Sequence, residues 1–407
     1  MRVLPFVLAV AAAVPSFAQS SSLHFDGYAA AQTVNATGPE SWRTGDFGRL
    51  DAGAARDRVF GVAQLGGDWA PAKWFDVHAS GAARRDPDDY RGDDAGLVEA
   101  YADLRATFTN DELQLRAGQF FLPTSRENID PLWTSPYTIH FSALNSWIGE
   151  EVRPRGLDLQ WRHTLQNGAS LTAAATAFRD NDTMGALLAW RGWSVGSRLS
   201  TWNDVLPLPP VNVLTTSFPA QRDDGTVPLE RDLDGRTGYS ARVRYSVPQR
   251  ALVQFTMLDN KGDRELYRGE YAWRTKFQLA GVQLGDPDAY SFAAEYMTGS
   301  TGMGTAPRFV QADFRAAYAL LSEKRGRSRW TVRYDLFRVT DEDHSAAGSN
   351  EDSGRSWTLA YFLDLSKALR AGGEYTQVVA KRPAAQESGF DESQNGREVT
   401  LELRYRF

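Results

Sequence analysis

The sequence predicts an all-β protein: a sixteen-stranded antiparallel transmembrane β-barrel with long extracellular loops and short periplasmic turns. Three observations carry this. Apolar and polar residues alternate with period two along most of the chain. The alternating runs are about ten to thirteen residues long, which a tilted strand needs to cross hydrocarbon, whereas soluble strands average about 5–6. Short and long connections between the runs alternate without exception, as in a barrel with both termini on one side.

The amino terminus comes first. Arg2 is a short basic segment, Val3 to Val14 is apolar apart from Pro5, and Ser16-Phe17-Ala18 has small residues at the cleavage positions. Residues 1–18 therefore read as a secretory signal peptide cut after Ala18, leaving 19–407 as the barrel. The apolar run is shorter than the roughly 20 residues of a spanning helix. The chain contains 0 Cys, so an exported fold must close without disulfides. Mean hydropathy is only −0.44, yet there are 12 Trp, 15 Tyr and 21 Phe. A chain in which every second residue meets lipid has this composition. The formal charge of −6, or −7 once Arg2 leaves with the signal, argues against a nucleic-acid partner.

The strands are expected at 22–34, 58–69, 74–85, 96–108, 112–121, 155–165, 169–180, 238–247, 251–260, 268–282, 289–299, 308–321, 328–340, 355–365, 368–380 and 397–407. In the last, Val399, Leu401, Leu403, Tyr405 and Phe407 oppose Glu398, Thr400, Glu402, Arg404 and Arg406. Trp330, Val332, Tyr334 and Leu336 oppose Thr331, Arg333 and Asp335. In 310–320 the apolar set Val310, Ala312, Phe314, Ala316, Tyr318 and Leu320 opposes Gln311, Asp313 and Arg315; in 271–279 Tyr271, Trp273, Phe277 and Leu279 oppose Arg274, Lys276 and Gln278. Apolar sets are assigned to lipid and polar sets to the lumen. Trp69, Trp74, Trp330, Trp357, Tyr375 and Tyr405 recur near strand ends, where interfacial girdles place aromatic rings. The apolar stretch 185–190 is assigned to the long extracellular loop 181–237, because counting it as a strand breaks the even number. A secreted β-sandwich shares the alternation but would need another element to cover so much apolar surface.

The third long loop, 122–154, is expected to constrict a pore. It carries Arg126, Glu127, Asp130, His140, Glu150, Glu151 and Arg153, with Arg155 just beyond, among Trp133, Tyr137, Phe141 and Trp147. A loop this long and this aromatic reads as functional, not disordered. Residues 116–156, RAGQFFLPTSRENIDPLWTSPYTIHFSALNSWIGEEVRPRG, resemble the fifth strand and third loop of sixteen-stranded Gram-negative porins, closest to the phosphate-selective porin group and its uncharacterised relatives. The terminal Phe407 resembles the signature that the outer-membrane assembly machinery reads. The resemblance implies a third loop folded into the lumen, a homotrimer in the outer membrane, and passive diffusion of small hydrophilic solutes or ions. Phosphate selectivity in that group rests on lysine and arginine clusters; this chain has six lysines, and arginine must stand in. Arg105, Arg116, Arg242, Arg244, Arg274, Arg315, Arg333, Arg370 and Arg404 fall on faces assigned to the lumen, beside Glu99, Asp103, Asp158, Glu295, Asp313, Asp335, Asp364, Glu374 and Glu402. Guanidinium forks suit carboxylate and phosphate. The bland reading of the same residues is a charge-paired wall around a water-filled pore.

No P-loop, zinc-spaced cluster or nucleophile elbow occurs, so neither cofactor nor metal is expected. Barrel proteases and phospholipases are the enzymatic alternative, and an adhesin without channel activity is another. His78 with Ser80, and His24 with Asp26, share inner faces without an evident third partner. The acidic outer stretches, including 86–94 and 387–392, offer carboxylates to cations bridging lipopolysaccharide or are simply solvated. The apolar segment 206–218 is expected either over the barrel mouth or, with strands near the two termini, in a contact between subunits.

Overall fold

A computed structural model describes residues 22–54, 58–85, 95–221, 225–229, 232–344 and 348–407. The expected signal segment 1–18 and the acidic stretch 86–94 lie outside them. Sixteen strands close into one antiparallel barrel, each pairing with its neighbours in sequence and the first with the last. They are β1 (Ser22–Thr37), β2 (Arg58–Ala72), β3 (Phe75–Arg85), β4 (Ala95–Thr107), β5 (Asp111–Gln119), β6 (Arg155–Thr164), β7 (Ser170–Arg179), β8 (Gly238–Val247), β9 (Ala251–Asp259), β10 (Lys276–Gly285), β11 (Tyr290–Thr305), β12 (Arg308–Arg325), β13 (Ser328–Asp341), β14 (Asp352–Asp364), β15 (Leu369–Lys381) and β16 (Gly396–Arg406). Each corresponds to one expected run. The tenth starts later than expected: 268–275 leaves the wall, and Trp273 is buried among the loops, its N–H donating to the Asp182 carbonyl.

Strand pairing stacks the outer residues into rows. Val243, Phe255, Ala280, Tyr296, Ala317 and Leu336 form one row across β8–β13, and Tyr245, Val253, Val282, Ala294, Ala319 and Tyr334 the next toward the short turns. These rows, with exposed Trp330, Trp357, Leu401 and Tyr405 elsewhere on the wall, make the apolar band of a membrane-spanning barrel. The architecture is that of an outer-membrane barrel.

Toward the long loops the wall reverses its polarity. The two outer rows above the band hold Gln278, Thr298, Arg315 and Arg338, then Lys276, Ser300, Asp313 and Thr340. Behind them Leu258, Phe277, Phe314 and Val339 point inward and are buried. The cause is a change of surroundings: below, lipid lies outside and charge inside; above, water lies outside and packed loops inside. The uniform assignment of polar sets to the lumen is therefore wrong in this region. Lys276, Asp313 and Arg315 stand on the outer surface, and Arg274 lies outside the wall, with a half-exposed side chain.

Candidate channel lumen and its infolded loops

The third loop enters the barrel and stays there; residues 133–154 are all buried. Its centre is a helix, α1 (Ala143–Glu151), capped by Ser142, whose hydroxyl accepts the Asn145 N–H at 3.2 Å. Two carboxylates meet the free N–H groups at its start: Glu127 accepts from Ser142 N at 2.8 Å and Asp335 from Ala143 N at 3.1 Å. A helix N-terminus favours negative charge. Between the two acids lies Arg333 of β13, fully buried, with Nη1 at 2.5 Å from Glu127 and Nε at 3.0 Å from Asp335. Its remaining N–H groups donate to the carbonyls of His140 and Phe141 and the hydroxyls of Thr138 and Thr358. Loop and opposite wall are thus joined by one guanidinium.

His140 makes a second join. Its Nδ1 lies 2.7 Å from Glu374 of β15 and its Nε2 3.1 Å from Glu398 of β16. Burial works against an imidazolium here, but the Glu398 and Glu374 carboxylates outweigh it and hold His140 well above its ordinary pKa. Glu374 also accepts the backbone N–H groups of Ile139 and His140.

At its far end α1 meets a second infolded segment, 181–206, which the sequence reading placed outside. Burial pushes Glu151 up to about 7, yet it accepts N–H groups from Trp147, Gly185 and Leu187. Glu150 pairs with Arg191 at 2.6 Å. Arg153 caps the helix, donating to the carbonyls of Gly149, Ser200 and Val98. Arg49 of the first loop pairs with Asp352 at 2.6 Å and donates to the carbonyls of Arg191 and Trp193. Trp147 packs edge-on to Trp193 and Phe277. Leu206, Leu208, Val211, Leu214 and Phe218 are buried with Trp190 and Trp273 in an apolar cap over the mouth. They are covered by their own chain, which removes the expected role of Leu206, Leu208 and Val211 in a contact between subunits.

The other expected site residues lie nearer the wall. Arg105 and Arg116 share Asp103, at 3.3 Å and 2.9 Å, and Arg116 stacks on Tyr101 at 3.7 Å; neither faces an acid of the third loop. Arg242 grips Asp158 with two bonds, of 3.0 and 2.8 Å. Arg244 donates to the Pro123 carbonyl at 2.5 Å, and Arg155 pairs with Asp180. Arg126 is buried, in the field of the Glu295 carboxylate. Asp130, at the loop tip, stands in the field of Arg370, Arg329, Arg406 and Arg404. The sequence reading put Arg406 on the polar face of the last strand without counting it among the lumen arginines, did not name Arg329, and had no means of pairing residues so far apart; only their place at polar positions of strand ends marks them.

His78 gains a partner the sequence did not show, Asp68 at 2.8 Å across the β2–β3 pair, but the buried Ser80 hydroxyl has no hydrogen-bond partner among the described residues. The parts of a nucleophilic triad are near one another and not assembled. Asp182, Asp232 and Asp234, which the sequence spacing did not group, bring carboxylate oxygens within 4.8 Å of one another among the outer loops.

No family model matches the chain, and no curated protein matches it in sequence. Solved structures match it in fold. The outer membrane channel DcaP of Acinetobacter baumannii superposes with TM-score 0.55 at 12% identity, over 97% of this chain and 100% of that one. The anion-selective porin of Comamonas acidovorans gives 0.51 at 12%, over 95% and 100%. OmpT of Vibrio cholerae, an outer membrane protein solved in a trimer form, gives 0.53 at 7%, over 96% and 100%. At these identities the likeness is one of fold.

Proposed function

We propose that the chain is an outer-membrane channel of the porin type with a narrowed lumen, passing small hydrophilic solutes or ions, and without enzymatic activity. The observation that carries this is the third loop bound across the lumen by Arg333 and Glu127, above a wall still lined by Arg105, Arg116, Arg242, Arg244 and their acids. A plug held by polar bonds inside a charged barrel suits gated or restricted passage. The second infolded segment, 181–206, makes the passage narrower than one loop alone would. The likeness to DcaP and to the Comamonas porin supports a channel, and the trimer form of Vibrio OmpT supports a homotrimer. Lipopolysaccharide and the outer-membrane assembly machinery are the partners this location entails.

Single-channel recording in a planar bilayer tests the reading. The purified barrel should give small, stable current steps. Arg49→Ala with Arg191→Ala, which unfastens 181–206 from the mouth, should raise conductance or open time several-fold. Heat-modifiable, folded barrel that gives no steps in either form overturns it.

A further inference from the structure

Five neighbouring strands, β12 to β16, each carry one exposed, outward-facing cation: Arg315, Arg338, Arg355, Lys381 and Arg397. Counted along each strand from its periplasmic end, Arg315 and Arg338 stand 10 residues away (from Arg325 and Ser328), Arg355 and Arg397 stand 9 away (from Asp364 and Arg406), and Lys381 stands 12 away (from Leu369). A tilted strand crosses hydrocarbon in about 9–11 residues, so the five mark its outer boundary. Exposed Leu336, Trp357, Val379 and Val399 lie two residues nearer the membrane on the same strands. Register brings the cations together: Arg315 lies opposite Arg338, Arg338 opposite Ser353, Ser353 opposite Lys381, and Arg355 between Leu336 and Val379. Arg338 pairs with Glu351 at 3.6 Å and Lys381 with Glu392 at 3.1 Å. Arg315, Arg355 and Arg397 have no acid within ion-pair distance among the described residues; Asp313 stands two residues farther from the membrane than Arg315 on the same face. A groove of about 470 Å³ opens within this belt, lined by Leu336 and Val379, by Arg355 and Lys381, and by Glu392 as its one acid. A larger outward groove over β8–β12, of about 750 Å³, sets Lys261 and Lys276 against Asp259 and Asp313 and carries no excess charge.

We infer that the outer faces of β12–β16 bind a phosphorylated, multiply acylated glycolipid of the outer leaflet, of the lipid A kind. Its acyl chains lie on the apolar wall at Leu336, Trp357 and Val379, and its phosphates meet Arg355, Lys381 and the cations beside them. An unpaired cation facing lipid is costly within hydrocarbon and favourable beside an anionic headgroup. Guanidinium forks take phosphate oxygens in pairs, which suits the arginines that lack a carboxylate. The inference rests on the outer-membrane reading of the barrel, gives its lipid partner a surface, and is independent of conduction.

Native mass measurement on the full-length barrel, freed of lipid and held in mild detergent with EDTA, tests it. The probes are diphosphoryl lipid A, its dephosphorylated form, phosphatidylglycerol and inorganic phosphate. EDTA removes bridging cations, so acidic loops cannot hold the lipid through them. Diphosphoryl lipid A should bind saturably and more tightly than the other three. Arg355→Ala with Lys381→Ala should weaken it about tenfold or more. Arg315→Gln with Arg338→Gln, on two other strands, should act in the same direction, and Lys276→Ala in the charge-balanced groove should leave binding unchanged. Heat modification checks that each variant is folded. Four results overturn the proposal: no diphosphoryl lipid A on folded barrel, equal binding of phosphatidylglycerol or of the dephosphorylated form, displacement of the lipid by inorganic phosphate, or undiminished affinity in both paired variants. Single-channel current separates this surface from the channel reading: lost lipid with unchanged current steps in the paired variants supports both, and bound lipid with no current steps overturns the channel alone.

Discussion

Arg333 joins two carboxylates and four uncharged oxygens in a site closed to water. Removing one partner of a buried pair strands the other, at about 3–5 kcal/mol. Arg333→Ala leaves both Glu127 and Asp335 without their cation and should lower the heat-modification midpoint of the barrel and release the third loop. Arg333→Lys should fail to rescue it, because an ammonium cannot span a fork of six acceptors. A lysine variant that melts with the wild type would show that charge alone fastens the loop. His140 adds a pH term to the same join. The groups facing it are Glu374, Glu398 and, farther off, Asp51. Its folded pKa is raised, so the stability it contributes is fully present below its unfolded value of about 6.5 and is lost as pH rises through the raised one. The midpoint difference between wild type and His140→Gln should therefore be large at neutral pH and shrink on alkaline titration. A difference that grows with pH would reverse the assignment.

At the scale of elements, the strands were legible wherever lipid dictates the outer face. Residues 397–407 and 330–336 alternate because hydrocarbon demands an apolar row and a hydrated or charge-paired interior demands a polar one, and both faces fall where the alternation puts them. Residues 310–320 alternate as cleanly and read backwards: Phe314 faces Trp147 and Trp193 inside, and Arg315 faces water outside. Period two gives the two faces of a strand but not which is in; that depends on height above the bilayer, which alternation does not encode. The helix α1 escaped the reading for a related reason. It is buried on every side, with the Asn145 amide N–H groups donating to Glu127 and Glu295 and Glu150 paired with Arg191, so it has no polar stripe to betray a helical period. The charge pairs were beyond reach altogether, since Glu127 and Arg333 lie 206 residues apart. What the sequence did offer for the second infolded segment was its composition: 183–200 carries two arginines and no acid among mostly apolar and small residues, unusual for a loop in water, and both arginines are buried.

The whole molecule depends on one seam. A barrel has no free edge only while its first and last strands stay paired, and here β1 and β16 run in register from Tyr28 opposite Arg406 to Thr37 opposite Arg397. Phe407 extends that seam by one residue. Its N–H donates to the Gly27 carbonyl and its carbonyl accepts the Gly27 N–H, each at 3.0 Å. Its ring lies across Gly27 on the outer face, where a Cβ on residue 27 would stand 2.4 Å from it. The glycine is thus needed for the close approach of the ring. Deleting Phe407 removes two backbone bonds and a lipid-facing aromatic at the rim; Gly27→Val leaves the terminus intact but drives the ring off its seat. If Phe407 serves closure, both variants should reduce the yield of heat-modifiable barrel, in cells and on refolding into detergent alike. If it serves only as a signal to the assembly machinery, Gly27→Val should insert normally and the deletion should fail in cells alone. Normal yield of surface-exposed barrel from both variants would leave Phe407 with neither role.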